Sequence, residues 1–276
     1  MPDNTSDSRR EENLKRIKAL RLMDDNFMTV VFKHSKASVE HVLRVILNDD
    51  QLVVRSVTTQ DDIPNLWGHA VRLDVHAVDV LNKHYDVEIQ RADSGASPKR
   101  ARYNMSLLDT ENLGKGEDCD KLPETYIIFI AEHDIYRSGR PLYHVERVVV
   151  EERMFFGDGG HIIYVNGEYE GGDPVGQLMA DFRTNDPSEM NDKTLAEAAG
   201  YFKNNPKGVA HMCKIMEDLR TESLAEGRAE GRNNLMAALA RLRPLLKAAG
   251  RESEFFDAAT DEDAAKKLFE EFDIHE

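Results

Sequence analysis

The chain has 276 residues, 41% hydrophobic and 32% charged, which suits one large folded domain or a domain with an appendage. Acidic side chains outnumber basic ones by 51 to 36, and the net charge of −15 at first argues against nucleic acid, because proteins that bind phosphate usually carry a basic surface. No apolar run approaches the roughly 20 residues of a membrane helix, and no secretory signal is visible. Two distant cysteines, Cys119 and Cys213, argue against a disulfide framework or a structural zinc site. We therefore expect a cytoplasmic protein without a membrane span.

In chain order, residues 1–23 form a charged lead-in whose apolar positions fit either a short amphipathic helix or a frayed tail. From about residue 25 to 170 the pattern is typical of short apolar strands separated by turns. One early helix is predicted there, Ser38–Leu47 with Ser38 as its N-cap, followed by a strand at Leu52–Val57.

The middle of the chain predicts a hairpin and further strands. Ala70–Val80 and His84–Ala92 are two strands joined by a short turn around Asn82, and Pro98–Leu113 is a helix. Three more strands are predicted at Tyr126–Ala131, Leu142–Val150 and His161–Tyr169. Helix, strand, hairpin, helix and strand together indicate a mixed α/β domain over residues 24–170.

Residues 171–276 are predicted to be helical, with breaks at Pro187, Pro206, Pro244 and Gly250. A repeated Ala-Glu-Gly-Arg at residues 225–232 places acidic and basic stripes on opposite sides of one helix. Such a helix is either a solvated connector or half of an interface between chains. A short heptad-like seam follows, made by Leu235, Leu239, Leu242 and Leu246. The sequence of this helical region therefore leaves open whether the chain forms a homo-oligomer.

Polar side chains cluster on one face of the predicted hairpin. Side chains alternate between the faces of a strand, so Asp86, Glu88 and Gln90 share one face. If the turn centres near Asn82, Asp74 on the partner strand lies opposite Gln90 with Glu88 diagonal to it. Two carboxylates then converge as a divalent-cation site requires. The alternative is that the strands simply expose a polar face to solvent.

A locally basic stretch follows the hairpin, in a chain that is otherwise acidic. Residues 91–103 contain four basic side chains, Arg91, Lys99, Arg100 and Arg102, against one acid, Asp93. An acidic residue, a hairpin, the Glu-Ile-Gln segment and a helix that begins with basic residues follow one another in this order. This order is more specific than a generic pair of acidic residues.

With these motifs the sequence resembles the PD-(D/E)XK nuclease superfamily, in its branch of Rpn-like recombination-promoting nucleases and transposases. The similarity covers roughly residues 24–167. It rests on segments in the same order: Phe27–Lys33, Arg72–Val75, Tyr85–Arg91, Pro98–Tyr103, Leu122–Ile130 and Asp158–Gly167. The resemblance implies a restriction-endonuclease-like mixed sheet flanked by helices, with an α-helical C-terminal tail. It also implies metal-dependent cleavage of DNA linked to recombination or mobile elements.

The resemblance further implies roles for individual residues. Asp74 and Glu88 correspond to ligands of Mg²⁺, or of Mn²⁺, with the backbone carbonyl of Ile89 nearby. Mg²⁺ prefers hard oxygen donors and keeps several waters, so two carboxylates suffice. DNA is the implied partner.

Gln90 stands where the superfamily name expects lysine, and the Rpn-like branch often carries glutamine there too. Glutamine can orient a water but carries no positive charge and cannot act as a base. The catalytic set is therefore Asp74, Glu88, Gln90 and Lys99, where Lys99 or Arg100 supplies the missing charge. The residues expected to contact DNA are Arg91, Lys99, Arg100, Arg102 and Tyr103. For the basic residues the alternative is a solvated helix face, and for Tyr103 it is packing of the helix on the sheet.

Several other polar residues are weaker candidates for the site. Glu40 is a third acidic ligand or an exposed helix residue, Asp86 lies on the same face but closer to the turn, and His76 contacts phosphate or is structural. The Asp pairs at 24–25, 49–50 and 61–62 are interpreted as loops and caps. The alternative function is a catalytically silent, nuclease-derived module that binds DNA or a protein.

Overall fold

The structure is a computed structural model that describes residues 4–63, 71–91 and 93–274. It divides into two units, Met1–Met212 and Cys213–Glu276. The first unit contains a six-stranded mixed sheet flanked by helices, and the second is helical where it is described. The predicted mixed α/β fold with a helical C-terminal region is confirmed. The finer division into residues 1–23, 24–170 and 171–276 stays a prediction.

Three helices precede the sheet: α1 (Asn4–Ala19), α2 (Asp25–His34) and α3 (Lys36–Leu47). The prediction of strands from residue 25 onward is wrong for α2. Six consecutive residues of α2 are buried, so the helix lacks the one-sided periodicity that would have revealed it. The predicted N-cap of α3 is also wrong, because Ser35 and not Ser38 caps the helix: the Ser38 N–H donates to Ser35 Oγ at 3.2 Å.

The strands in chain order are β1 (Val54–Ile63), β2 (Val71–Asp79), β3 (His84–Gln90), β4 (Thr125–Ala131), β5 (Leu142–Val145), β6 (Val148–Val149), β7 (Met154–Phe155) and β8 (Gly160–Asn166). The sheet has the order β1-β2-β3-β4-β8-β5, with parallel pairs at β3–β4 and β4–β8. The strand predicted at Leu142–Val150 is therefore interrupted, because Val148 and Val149 pair with β7 in a separate two-stranded ribbon. The predicted strand Leu52–Val57 begins later and continues to Ile63. Two predicted strand ends, Ala70 and Ala92, lie outside the described residues.

Helix α4 (Pro98–Asn112) covers the sheet face on which the polar residues lie. Its buried residues Ala101, Met105 and Leu108 pack with Ile127 and Phe129 of β4. In the parallel register these two β4 residues are the partners of Asp86 and Glu88, so α4 packs over both carboxylates. The predicted helix Pro98–Leu113 is confirmed to within one residue.

The β2–β3 hairpin has a different register from the one expected. Val75 pairs with Val87, whereas a turn centred near Asn82 would have placed Asp74 opposite Gln90. The predicted register is therefore wrong by two residues. Asp74 lies one residue beyond the last pair of the ladder, close to Glu88 and not opposite Gln90.

The side chain of Asp79 explains this register. Its Oδ1 accepts the N–H groups of Leu81 at 2.9 Å and Lys83 at 2.8 Å, and its Oδ2 accepts the Tyr85 hydroxyl at 3.0 Å. Asn82 takes the left-handed conformation with φ 64°. These bonds close a three-residue loop centred on Leu81, a common hairpin connection with a left-handed last residue.

Replacing Asp79 by alanine should lower the free energy of unfolding by about 2 to 3 kcal/mol, because it removes acceptors for two N–H groups and a buried tyrosine hydroxyl. Urea unfolding measures the change. The control is Asp49→Ala, which removes one acceptor from an exposed turn at Gln51 and should cost no more than about 1 kcal/mol. Equal unfolding midpoints for the two variants would contradict this account of the turn.

The helices after the sheet are α5 (Pro174–Arg183), α6 (Lys193–Asn204), α7 (Pro206–Ala248), α8 (Glu254–Thr260) and α9 (Glu262–Glu271). The break predicted at Pro244 is wrong, because α7 continues through it. A proline inside a helix costs about 3 kcal/mol. Burial of Leu239, Leu242 and Leu246 around Pro244 offsets that cost. The helix ends before Gly250, as predicted, where φ is +72°.

The predicted leucine seam packs against other residues of the same chain. Leu239, Leu242 and Leu246 pack within the second unit against Leu268 and Phe269 of α9. The repeat at 225–232 is almost entirely exposed, as a solvated connector requires, and its alternative role in an interface between chains stays a prediction. Across residues 4–63, 71–91 and 93–274, no helix is both long enough and apolar enough to cross a membrane.

Candidate active site

The candidate site lies where β2 and β3 separate beneath α4. The antiparallel ladder ends at Val75 and Val87, one residue short of Asp74 and Glu88. Asp74 Oδ2 then accepts the Ile89 N–H at 3.3 Å, so its side chain reaches the β3 main chain between Glu88 and Gln90. The local structure thus brings Asp74 to the Glu-Ile-Gln segment.

Glu88 is the most heavily bonded carboxylate of the site, and its side chain is fully buried. Its Oε2 accepts from Arg100 Nη2 at 2.5 Å and from Gln90 Nε2 at 3.2 Å. Its Oε1 accepts from Asn104 Nδ2 at 3.4 Å. Because Arg100 is 39% exposed, its guanidinium extends from solvent to the buried carboxylate.

Asp86 adds a second fully buried carboxylate on the same strand face. Its Oδ2 accepts from Asn104 Nδ2 at 3.1 Å. Within the described part of the chain, Asp86 Oδ1 and Asn104 Oδ1 have no hydrogen-bond partner. Two buried acceptor oxygens therefore lie beside the carboxylate of Glu88.

Burial makes the ionised form of these carboxylates unfavourable. It raises the pKa of Asp74 to about 8, and the negative charges of Glu88 and Asp25 add to the rise. Burial and the charge of Glu88 raise the pKa of Asp86 well above its ordinary value. Burial also raises the pKa of Glu88, although the guanidinium of Arg100 opposes that rise. The cluster is short of positive charge.

Asp25, at the start of α2, belongs to this electrostatic environment, although the Asp pair at residues 24–25 predicts only a loop or a helix cap. Its own pKa is raised by burial, and its charge raises the pKa values of Asp74 and Glu88. The sequence feature that could have indicated Asp25 is an acidic residue at the first position of a highly apolar helix. Asp24 does lie at the N-cap position of α2. The loop interpretation is wrong for Asp61, which lies in β1.

The basic residues divide into one that reaches the carboxylates and others that stay at the surface. Arg100 contacts Glu88, while Lys99 and Arg102 are exposed. Arg91 is exposed and forms ion pairs with Asp24 and Glu132, each at 3.4 Å. Tyr103 is half-buried against the core beneath α4, as its packing alternative predicts.

Two weaker candidates are held by other partners. Glu40 Oε2 accepts the Val54 N–H at 2.9 Å and so fixes the start of β1. His76 Nδ1 lies 2.8 Å from Asp61 Oδ2, and its Nε2 lies 3.0 Å from His84 Nδ1. Both side chains therefore take part in structural contacts outside the Asp74–Glu88 pair.

The donor set fits a hard divalent cation. Asp74 and Glu88 offer carboxylate oxygens, and their raised pKa values fit a site that takes up positive charge. Asp86 Oδ1 is a buried acceptor that has no donor among the residues the structure describes. No ready-made group of three His, Cys, Asp or Glu ligands occurs among the residues that the structure describes. Mg²⁺ needs only one or two carboxylates and completes its shell with water and substrate phosphate, so the smaller set is sufficient.

Residues 57–167 match the family model described as PD-(D/E)XK nuclease family transposase. The chain carries a PD-(D/E)XK nuclease family transposase domain. The domain includes Asp74, Glu88, Gln90, Arg100 and Asn104, and it confirms the family resemblance; Asp25 lies before it. No curated protein and no solved structure matches the chain.

Proposed function

We propose that this PD-(D/E)XK domain is a divalent-metal-dependent endodeoxyribonuclease, linked to recombination or mobile elements, that acts on DNA in the cytoplasm. The observation that carries the proposal is the pairing of Asp74 with the Glu88–Ile89 backbone in a buried carboxylate cluster that is short of positive charge. Families of this kind typically use divalent metals, and two carboxylates beside an arginine suit phosphodiester chemistry.

Asp74 and Glu88 would hold Mg²⁺ or Mn²⁺, with the carbonyl of Ile89 as the proposed neighbouring donor. When bound, the ion lowers the pKa of a water and offsets the negative charge of the scissile phosphate. The buried carboxylates supply a site of low solvent exposure, in which charge interactions are stronger than in water.

The other side chains position the reactants. Arg100 links solvent to Glu88 and is the side chain placed to donate to a phosphate oxygen, the role first assigned to Lys99 or Arg100. Gln90 is held by its bond to Glu88 and packs against Gly95, where an added Cβ would lie 1.8 Å from Gln90 Oε1. It can orient a water but not deprotonate it. Lys99 and Arg102, both exposed, would attract the DNA backbone.

A catalytically silent DNA- or protein-binding module remains the second candidate. The observation that favours it is the absence of lysine at position 90, together with the two donors that already occupy Glu88 Oε2. This candidate expects DNA binding that is unchanged by chelators and no cleavage with any metal.

Nicking of supercoiled plasmid tests the proposal. Wild-type protein should nick DNA with Mg²⁺ or Mn²⁺ and stop when EDTA is added. Asp74→Asn should reduce the rate by about 10³-fold, since loss of one group that stabilises the reacting charge typically costs 10² to 10³. Asp49→Asn, in an exposed turn, is the matched control and should keep the wild-type rate. Equal rates for Asp74→Asn and wild type would refute the assignment.

A further inference from the structure

Asn104 is an unexpected residue on the buried side of α4. It is completely buried between Ala101, Met105 and Leu108, and it lies one turn after Arg100. An amide in such an apolar setting costs free energy unless its contacts compensate. Its contacts therefore indicate why the helix keeps a polar residue at this position.

Among the described residues, Asn104 donates hydrogen bonds to two carboxylates. Its Nδ2 donates to Asp86 Oδ2 at 3.1 Å and to Glu88 Oε1 at 3.4 Å, which uses both amide hydrogens. Its Oδ1 has no partner among the described residues. The opposite amide orientation would turn this oxygen toward two carboxylates, so the carboxylates themselves fix the orientation of the amide.

Three side chains donate to Glu88, in addition to the backbone N–H of Asp74, and they differ in rigidity and in the oxygen they reach. Arg100 and Gln90 both donate to Oε2, and Arg100 is partly exposed. Asn104 donates to Oε1 and is the fully buried member of the three. Asn104 is therefore the buried side chain that holds the second oxygen of Glu88.

We propose that Asn104 is a positioning residue for the cleavage reaction, which fixes the Glu88 carboxylate through Oε1 and joins it to Asp86 in one buried unit. The inference rests on the proposed function, in which Glu88 is a metal ligand. Groups that orient a metal ligand are commonly worth 10- to 100-fold in metal affinity. Asn104 should have an effect of that size without touching the substrate.

Calorimetric titration with Mn²⁺ in the absence of DNA tests this inference. Asn104→Leu, of similar volume, should weaken Mn²⁺ binding by about 10- to 100-fold relative to wild type. The matched control is Asn112→Leu on the same helix, which loses bonds to Leu108 and His84 but none to Glu88. It should keep the wild-type affinity.

A second comparison separates positioning from folding. Asn104→Leu alone leaves the buried Asp86 without its donor, so the same substitution is also made in an Asp86→Leu background, where no such carboxylate remains. The Asp86→Leu and the double variant should both unfold cooperatively, which shows that each is folded, while Mn²⁺ affinity should still fall by about 10-fold in the double variant.

The possible results of these titrations distinguish the positioning role of Asn104 from the nuclease proposal. Unchanged Mn²⁺ affinity on Asn104→Leu in the Asp86→Leu background would overturn the positioning role while leaving the nuclease proposal intact. No Mn²⁺ binding by folded wild-type protein would overturn the nuclease proposal and this inference together. Weaker binding in both backgrounds, with Asn112→Leu unaffected, is the expected result.

Discussion

Replacing Asp74 by asparagine is expected to stabilise the metal-free protein at pH 8 while lowering its nuclease rate by about 10³-fold. The folded protein raises the pKa of Asp74 from 3.8 to about 8, through burial and then the charges of Glu88 and Asp25. Between pH 4 and pH 8 the folded state therefore holds a proton that the unfolded state has lost. The contribution of Asp74 to the free energy of unfolding therefore falls as pH rises through this range.

The asparagine variant lacks this titration, and its amide oxygen can still accept the Ile89 N–H. One pKa unit corresponds to about 1.4 kcal/mol. Glu88 shares the repulsion, and solvent screens part of it. We therefore expect the free energy of unfolding of the asparagine variant to exceed that of wild type by about 3 kcal/mol at pH 8, and we expect this difference to vanish near pH 4.

Urea unfolding in EDTA at pH 5 and pH 8 measures this difference, with Asp49→Asn as the control. Mn²⁺ at about 1,000 times its Kd should reverse the ranking, because it then stabilises the protein that binds it by about 4.1 kcal/mol, more than the advantage of the variant. A variant that is no more stable than wild type at pH 8 would show that burial and the neighbouring charges do not raise the pKa of Asp74 in the folded protein.

Replacing Lys203 by methionine is expected to destabilise the first unit by about 3 kcal/mol or more. Lys203 is 5% exposed on α6, and its Nζ donates to the main-chain carbonyls of Lys18 at 3.0 Å, Asn185 at 2.5 Å, and Leu20. Burial lowers the pKa of Lys203 to about 8, so at pH 7 the ammonium group keeps all three donors. Methionine leaves three carbonyls without a donor, each at a cost of about 1 kcal/mol or more.

Urea unfolding at pH 7 tests this prediction, with Lys207→Met as the matched control because Lys207 is an exposed lysine on the next helix. The control should remain within about 0.5 kcal/mol of wild type. The same cation holds the segment that leads into α2 and Asp25, so Lys203→Met should also weaken Mn²⁺ binding. Similar unfolding midpoints for the two variants would refute this role.

The polar face of the hairpin could be predicted because strand alternation is a local property of the sequence. Asp86, Glu88 and Gln90 therefore fall on the face expected for them, under α4. The register could not be predicted from alternation, because the side chain of Asp79 decides where the turn is centred.

Residues that enter the site from other elements were harder to predict. Asp25 and Asn104 reach it through packing of α2 and α4 on the sheet, which depends on contacts between residues far apart in the sequence. Arg100 rather than Lys99 reaches Glu88 for the same reason, since the direction of a helix residue depends on which face the sheet covers. Pro244 shows the same dependence, because burial of its neighbours overrides a local preference for ending the helix.

The central claim is that Asp74 and Glu88 form the metal-binding centre of the domain. Calorimetric titration of Mn²⁺ into wild type and Glu88→Gln at pH 8 tests it most directly, because metal binding does not depend on choosing the right DNA sequence. We expect one ion bound per wild-type chain and at least about 10-fold weaker binding by Glu88→Gln. Equal affinities, or no binding by folded wild-type protein, would contradict it.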